Sequence, residues 1–288
     1  MKQSKGRHSP VRLFLLAVCL VLFAVSVGYL GYKAYQGYRY EQRYDNLARP
    51  GQSESSSSSS LPNEGKFASL LEQNPDTVGW LTIPGTTVDY PVAQTEDNDH
   101  YLHYDFLGES SPYGSLFVDC RDDLADTKGN TIIYGHNLNN PQMFGALMDY
   151  KNLEFYQQHP VLQFDTLYGD GTYKIVAMFL MDDNESVDVF DYHNRHNFNS
   201  EADAVDFLTQ VERRTLIQTG VDVQPGDELL TLSTCSYEFT DARFVVVARA
   251  LRPGESAEVD SSQAVKNPDP LMPTIWYETY GGTKPVFS

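Results

Sequence analysis

Eight short runs of β-forming residues, set apart by turn-forming ones, limit most strongly what this chain can fold into. They are Gly79 to Gly85, Thr87 to Val92, Gly114 to Asp119, Thr131 to Tyr134, Val161 to Thr166, Tyr173 to Met181, Glu228 to Thr234 and Phe244 to Leu251. Short strands separated by turn signals predict a barrel or a sandwich. Pro84 and Pro91 favour an edge or a strand end for the first two. Two helices interrupt the pattern. Phe67, Leu70, Leu71 and Asn74 fall at i, i+3, i+4 and i+7, and predict an amphipathic helix that opens the folded part. Between the sixth and seventh runs, Ser200-Glu201-Ala202-Asp203 has the form of a capping box, and Ala204, Val205, Leu208 and Val211 follow at helical spacing. That helix is expected to be inserted into the β scaffold, over the mouth of a site. From Pro253 to Ser288 the chain is punctuated by Pro and Gly, with Trp276, Tyr277 and Tyr280 as its large anchors, and reads as a partly ordered tail.

The N-terminal part follows a different rule. Leu13 to Tyr32 is a run of twenty residues without a charge, preceded by Lys2, Lys5, Arg7 and Arg12. That length spans a bilayer as one helix, whereas the apolar core of a cleaved signal peptide is only about 7–15 residues. Ala24-Val25-Ser26 offers a cleavage site, but a retained anchor is the preferred reading. Lys33, Arg39, Arg43 and Arg49 match the basic count on the N-terminal side, so charge bias does not set the orientation. A short N-terminus ahead of a long acidic domain favours a cytoplasmic start, with the bulk of the chain outside. Pro50-Gly51 and the serines from Ser55 to Ser60 bury nothing and form a linker. The expected organisation is a cytoplasmic N-terminus (1–12), a transmembrane signal anchor (13–32), a juxtamembrane segment and linker (33–62), a catalytic domain (63–252) and a C-terminal extension (253–288).

The formal charge of −18 is concentrated in the folded part, where residues 61–288 hold 13 Lys and Arg against 36 Asp and Glu. Phosphate binding needs a basic surplus, so nucleic acid is excluded as a partner. The acidity itself reads as a solubility feature.

Chemistry is expected at the end of the seventh run. Leu230-Thr231-Leu232-Ser233-Thr234 delivers Cys235 at its end, and Arg243 follows eight positions later, opening the eighth run. A hairpin through Ser236 to Ala242 would return Arg243 alongside Cys235, where a cation supports a nucleophilic thiolate. Of the other cysteines, Cys19 lies in the apolar run. A Cys120–Cys235 disulfide is permitted in an oxidising compartment, but a domain of this size needs no staple. His136 is the best placed base, since Thr131 to Tyr134 carries it to a strand end as the seventh run carries Cys235. His100 and His103, beside Asp99 and Asp105, and His193 and His196, beside Asp191, lack a complete metal-ligand set and read as solvated loop histidines. No metal and no cofactor is expected.

TLSTC with a downstream arginine, preceded by Tyr134-Gly135-His136-Asn137, resembles the sortases, membrane-anchored cysteine transpeptidases of Gram-positive surfaces. The segments NPDTVGWLTIPGTTVDYPV (Asn74 to Val92), DNDHYLHYDF (Asp97 to Phe106) and YGHNLNNPQMFGAL (Tyr134 to Leu147), with the helix before the cysteine strand, are similar to class B members. The likeness covers most of residues 64–251. It implies a closed eight-stranded sortase-type β-barrel with an N-terminal helix and a helix between strands 6 and 7. It also implies that Cys235 attacks the carbonyl of a threonine in a sorting motif near a surface protein's C-terminus, forming a thioacyl-enzyme. His136 would move the protons, and Arg243 with a backbone N–H would hold the oxyanion. The implied acceptor is a cell-wall precursor or pilin amine, and the implied location is the outer face of the cell membrane.

Asn98 and Ser233 resemble class B groove positions, and Ser236 is expected to offer an oxyanion N–H. The long tail and Cys120 depart from a bare class B domain. An exported cysteine peptidase or amidase acting on cell-wall peptides is the rival, but papain-like enzymes place cysteine before histidine and at a helix N-terminus. A non-catalytic surface binding module would not need Cys235, His136 and Arg243 together.

Overall fold

The eight runs become the eight strands of a closed barrel. The computed structural model describes residues 10–287 apart from 48, 52–60, 128, 139 and 140, so the six-serine run lies outside the described residues. The strands are β1 (Thr77–Thr82), β2 (Asp89–Ala93), β3 (Leu116–Val118), β4 (Asn130–Tyr134), β5 (Val161–Thr166), β6 (Thr172–Asp182), β7 (Ile217–Gln218), β8 (Leu229–Cys235), β9 (Ala242–Ala250) and β10 (Val265–Lys266). Around the barrel the order is β1-β2-β3-β4-β8-β9-β6-β5, and β5 closes onto β1. Every pairing is antiparallel except β2 with β3 and β4 with β8. A closed sheet leaves no free edge. The short β7 and β10 form a separate two-stranded ribbon.

Two walls of the barrel are buried on both faces. All residues from Phe244 to Ala248 of β9 are buried, where a strand with one solvated face would alternate. The reason is a covering layer. Val245 and Val247 of β9, Phe179 and Met181 of β6 and Leu229 of β8 pack with Phe190, Tyr192, Phe207 and Val211 in one cluster. Phe207 and Val211 belong to the helix Glu201–Arg214, whose Ser200 cap accepts from the Asp203 N–H at 3.2 Å. This helix packs on the outer wall of β6 and β9, because its apolar face matches their outward Val and Phe side chains. It does not lie over the mouth; the preceding segment around Phe190 and Tyr192 reaches that end.

The C-terminal extension departs from the expected partly ordered tail. Its β10 pairs with β7, Leu271 and Met272 are buried, and the Leu271 N–H donates to the Arg213 carbonyl at 2.8 Å. The Thr274 N–H donates to Glu185 at 2.7 Å and the Tyr280 hydroxyl to the Glu238 carbonyl at 2.8 Å. Polar residues that looked like solvated punctuation supply these bonds, as Asn267 does through its side-chain N–H to Thr215 O at 2.8 Å.

Contacts divide the chain into two units, residues 1–47 and 48–288. The first holds one helix, Pro10–Asp45, of 36 residues, which is long and apolar enough to cross a membrane. At about 1.5 Å per residue it exceeds the roughly 30 Å of a hydrocarbon core.

Phe207 is fully buried, 5.4 Å from the ring of Phe190 and 5.3 Å from that of Phe198. Phe207→Ala is expected to lower the unfolding free energy by about 3–5 kcal/mol in a urea titration. Val205→Ala, on the exposed side of the same helix, should change it by only about 0.5 kcal/mol.

Candidate active site

The parallel ladder between β4 and β8 builds the site. It runs from Asn130 opposite Leu229 to Tyr134 opposite Ser233, and contacts continue past its end. The Gly135 N–H donates to Ser233 O at 3.3 Å, the Thr234 hydroxyl to Gly135 O at 2.7 Å, and the Asn137 side-chain N–H to Cys235 O at 2.9 Å. His136 therefore sits on the chain next to Cys235, at about the 5 Å spacing of adjacent strands. Each lies two residues beyond a paired position, so both fall on one face. The imidazole Nε2 lies 2.9 Å from Leu102 O. A carbonyl can only accept, so Nε2 carries the hydrogen and Nδ1 is the nitrogen left with its lone pair. Gly114, at φ 57°, makes this fit possible, since a Cβ there would lie 2.5 Å from Tyr101 O and 2.8 Å from His136 Cδ2.

Antiparallel pairing with β9 places Arg243 directly opposite Cys235. Arg243 Nη1 lies 2.6 Å from Cys235 Sγ, and Nε donates to Asp183 Oδ2 at 2.6 Å. The second oxygen of Asp183 lies 3.1 Å from His193 Nε2. Burial works to lower the Arg243 pKa, but the Asp183 bond and the charges of Cys235 and Asp183 outweigh it and hold the guanidinium above its ordinary value. Burial likewise opposes ionisation of Asp183, and its bonds from His193 and Arg243 prevail, so its carboxyl titrates below the usual range.

Three further sequence-predicted residues occupy more structural positions. Asn98 is half-buried, with its side-chain N–H on Asp119 Oδ2 at 3.0 Å and its oxygen accepting the Cys120 N–H at 2.8 Å. Ser233 is buried, and its hydroxyl shares a 2.7 Å bond with the hydroxyl of Tyr192. The Ser236 N–H is engaged with Ala242 O at 2.7 Å, one rung beyond the Cys235–Arg243 pair, so here it does not face an oxyanion. Its hydroxyl donates to Glu238. Beyond Ser236 opens a cleft of about 570 Å³, with Asn137, Met148, Lys151 and Tyr237 in its wall. The cysteines are free, Cys120 and Cys235 both half-buried.

Two histidines read as solvated are instead held in polar networks. His193 is bound to Asp183, and His196 Nδ1 pairs with the buried Asp122 at 2.6 Å. Arg121 joins these networks, donating to both oxygens of the buried Asp119 and to His193 O at 2.8 Å. Sequence reasoning missed Asp183, Tyr192 and His193. One signal was present: Asp183 lies two residues past the end of the sixth run, on the side of Arg243 if the two runs pair as a hairpin would. Among the described residues, no group of three or more His, Cys, Asp or Glu could hold a metal ion.

The family model for the sortase domain matches residues 81–251. Sortase B of Staphylococcus aureus is 32% identical over 243 residues, covering 82% of this chain and 97% of that protein. Sortase B of Listeria monocytogenes is 36% identical over 169 residues, covering 59% and 66%. Among solved structures, sortase B from B. anthracis in complex with AAEK1 superimposes with a TM-score of 0.65 at 28% identity, over 76% of this chain and 99% of that one. The Staphylococcus aureus sortase B–substrate complex gives 0.60 at 35% identity, over 65% and 85%.

The network beneath the site has a pH signature. Burial works to lower the His196 pKa, but its bond to Asp122 and the charges of Asp122 and Asp119 raise it above the ordinary histidine value. A raised histidine contributes stability that is fully present below the unfolded value of about 6.5 and is lost as pH rises through the folded one. His196→Gln is therefore expected to lower the melting temperature most below about pH 6 and progressively less above it. A loss that grew with pH would contradict the assignment.

Proposed function

The chain belongs to the sortase family and is a class B-like cysteine transpeptidase; we propose that Cys235, His136 and Arg243 carry its reaction on surface-protein sorting signals. The observation that carries this reading is the Arg243 Nη1 contact to Cys235 Sγ, beside a histidine held on the neighbouring strand end. The sulfur attacks the carbonyl carbon of a threonine in the sorting motif as the thiol proton passes to His136 Nδ1. The C–N bond after that threonine breaks, and His136 gives its Nδ1 proton to the departing amine, leaving a thioacyl-enzyme. The acceptor amine then loses a proton to the same nitrogen and attacks the thioester, and the sulfur leaves. Arg243 offers the developing oxyanion a planar, permanently charged donor.

The acceptor is an amine of the cell wall or of a pilin. Asn98 keeps some exposure on this face and contacts the peptide directly. Ser233 and Ser236 act through the groups they hold, Tyr192 and Glu238. Residues 13–32, within the helix Pro10–Asp45, are the single-pass membrane anchor, with residues 63–252 as the catalytic domain at the cell surface. In support, one of the similar solved structures is described as a sortase B–substrate complex.

The test uses the detergent-solubilised full chain and a library of quenched sorting-motif peptides, with and without an added primary amine. The expected result is a thioacyl adduct on Cys235 by mass spectrometry and a product that shifts from acid to amide when the amine is present. Cleavage that survives Cys235→Ala would sink the reading. Arg243→Lys should lower kcat/KM by about 10²–10³, because an ammonium cannot reproduce the guanidinium fork. Near-normal turnover would remove Arg243 from its role.

A further inference from the structure

The geometry points to Asp183 and His193 as a positioning pair for Arg243, a bridging carboxylate and its donor that fix which guanidinium nitrogen meets the sulfur. The inference rests on the reading of Cys235 as the nucleophile and adds two residues to it. Arg243 stands opposite Met181 at the end of β6, so Asp183, two residues on, is its diagonal neighbour across the β6–β9 pair. The carboxylate takes the Arg243 Nε–H on one oxygen at 2.6 Å and faces His193 Nε2 on the other at 3.1 Å. With Nε committed, the guanidinium plane is set, and Nη1 is the nitrogen brought to Sγ. A free arginine side chain has four rotatable bonds and no reason to hold that orientation.

His193 is itself fixed from both sides. Its ring lies 3.9 Å from that of Tyr192, whose hydroxyl is bonded to the buried Ser233, two residues before Cys235. Its carbonyl accepts from Arg121 Nη2 at 2.8 Å, and Arg121 is clamped on the buried Asp119. The donor to Asp183 is thus tied to β8, which carries the nucleophile, and to the turn after β3. The segment after β6, far from Cys235 in sequence, is held to the same rigid frame as the sulfur.

The charge effect and the positioning effect of Asp183 predict opposite results. As a bare negative charge near the sulfur it would disfavour the thiolate, so its removal would move Cys235 alkylation to lower pH. As the group that aims Arg243 it supports the thiolate, so its removal should move alkylation to higher pH. The groups facing the sulfur in this test are Arg243, Asp183, His193, Tyr192 and His136.

The experiment follows iodoacetamide alkylation of the Cys235 peptide against pH by mass spectrometry in the solubilised full chain, beside peptide-cleavage kinetics. Asp183→Asn is expected to shift the alkylation midpoint upward and to lower kcat by about tenfold or more, with KM within about twofold, as a misplaced catalytic group does. His193→Ala should move both readouts the same way by a smaller amount. His193→Gln, whose side-chain N–H can reach where Nε2 stood, should restore them. A midpoint that stays or falls in Asp183→Asn, or His193→Gln behaving like His193→Ala, would overturn the pairing. Should Asp183→Asn fail to fold by circular dichroism, the two His193 variants decide alone. Alkylation needs no peptide substrate, so failure of the pairing is distinguishable from failure of the proposed reaction, which the Cys235 adduct reads separately.

Discussion

The parallel ladder between β4 and β8 is the constraint on which the site depends. Its two strands come from distant parts of the sequence, yet their shared end carries His136 and Cys235. A slip of one residue would turn one of the two side chains to the opposite face. The buried Ile132, Ile133, Leu230 and Leu232 resist such a slip, because it would exchange inward and outward side chains. A slip of two residues keeps the faces and is resisted differently. The Thr231 hydroxyl donates to Asn130 Oδ1 at 2.7 Å inside the barrel wall, and Asn130 Nδ2 donates to Arg195 O at 3.0 Å. Losing those partners would strand buried polar groups, at a cost of about 1–3 kcal/mol each. The apolar pattern excludes odd slips and the asparagine excludes even ones.

The barrel also decides where the thiol can be reached. Along the outward face of β8, Leu229 lies under the covering cluster, and Ser233 is capped by Tyr192. Cys235, the next residue on that face, is only half-buried. The thiol emerges one step past the end of its cover, on a strand that remains hydrogen-bonded on both sides. This gives access without the positional slack of a loop. The helix Glu201–Arg214 contributes at a distance, by helping to bury the wall from which Phe190 and Tyr192 lead to the site.

Much of this was legible in the residues because each strand advertises itself locally. The eight runs and the two helices follow from period and capping alone, and the short link from Ser236 to Ala242 makes the Cys235–Arg243 pairing readable. His136 was legible as a strand-end histidine, but its partner strand was not, since parallel pairing leaves no local turn signal. Asp183 and His193 were passed over because their contacts depend on how the segment after β6 returns to the barrel. The C-terminal extension was misread for a related reason. Its Asn, Thr and Tyr side chains look solvated until the partner backbone, at Thr215 or Glu238, is in place.

The acidic surplus takes on a second meaning in this setting. Arg121 is clamped by Asp119, Arg195 by Asp203 and Asp206, Arg249 by Glu255, and Arg252 by Asp222 and Asp227. Carboxylates outnumber basic groups in this unit, so arginines meet carboxylates that set the direction of their forks. Arg243 follows the same pattern with a different consequence. Its charge is largely balanced by Asp183, so its value at the sulfur lies less in net attraction than in one N–H aimed at a fixed point. An oxyanion is recognised by such aimed donors, because they need no reorganisation when charge develops. Balancing the arginine's charge with a carboxylate while fixing its direction suits a half-buried site, where an uncompensated cation would be costly to desolvate.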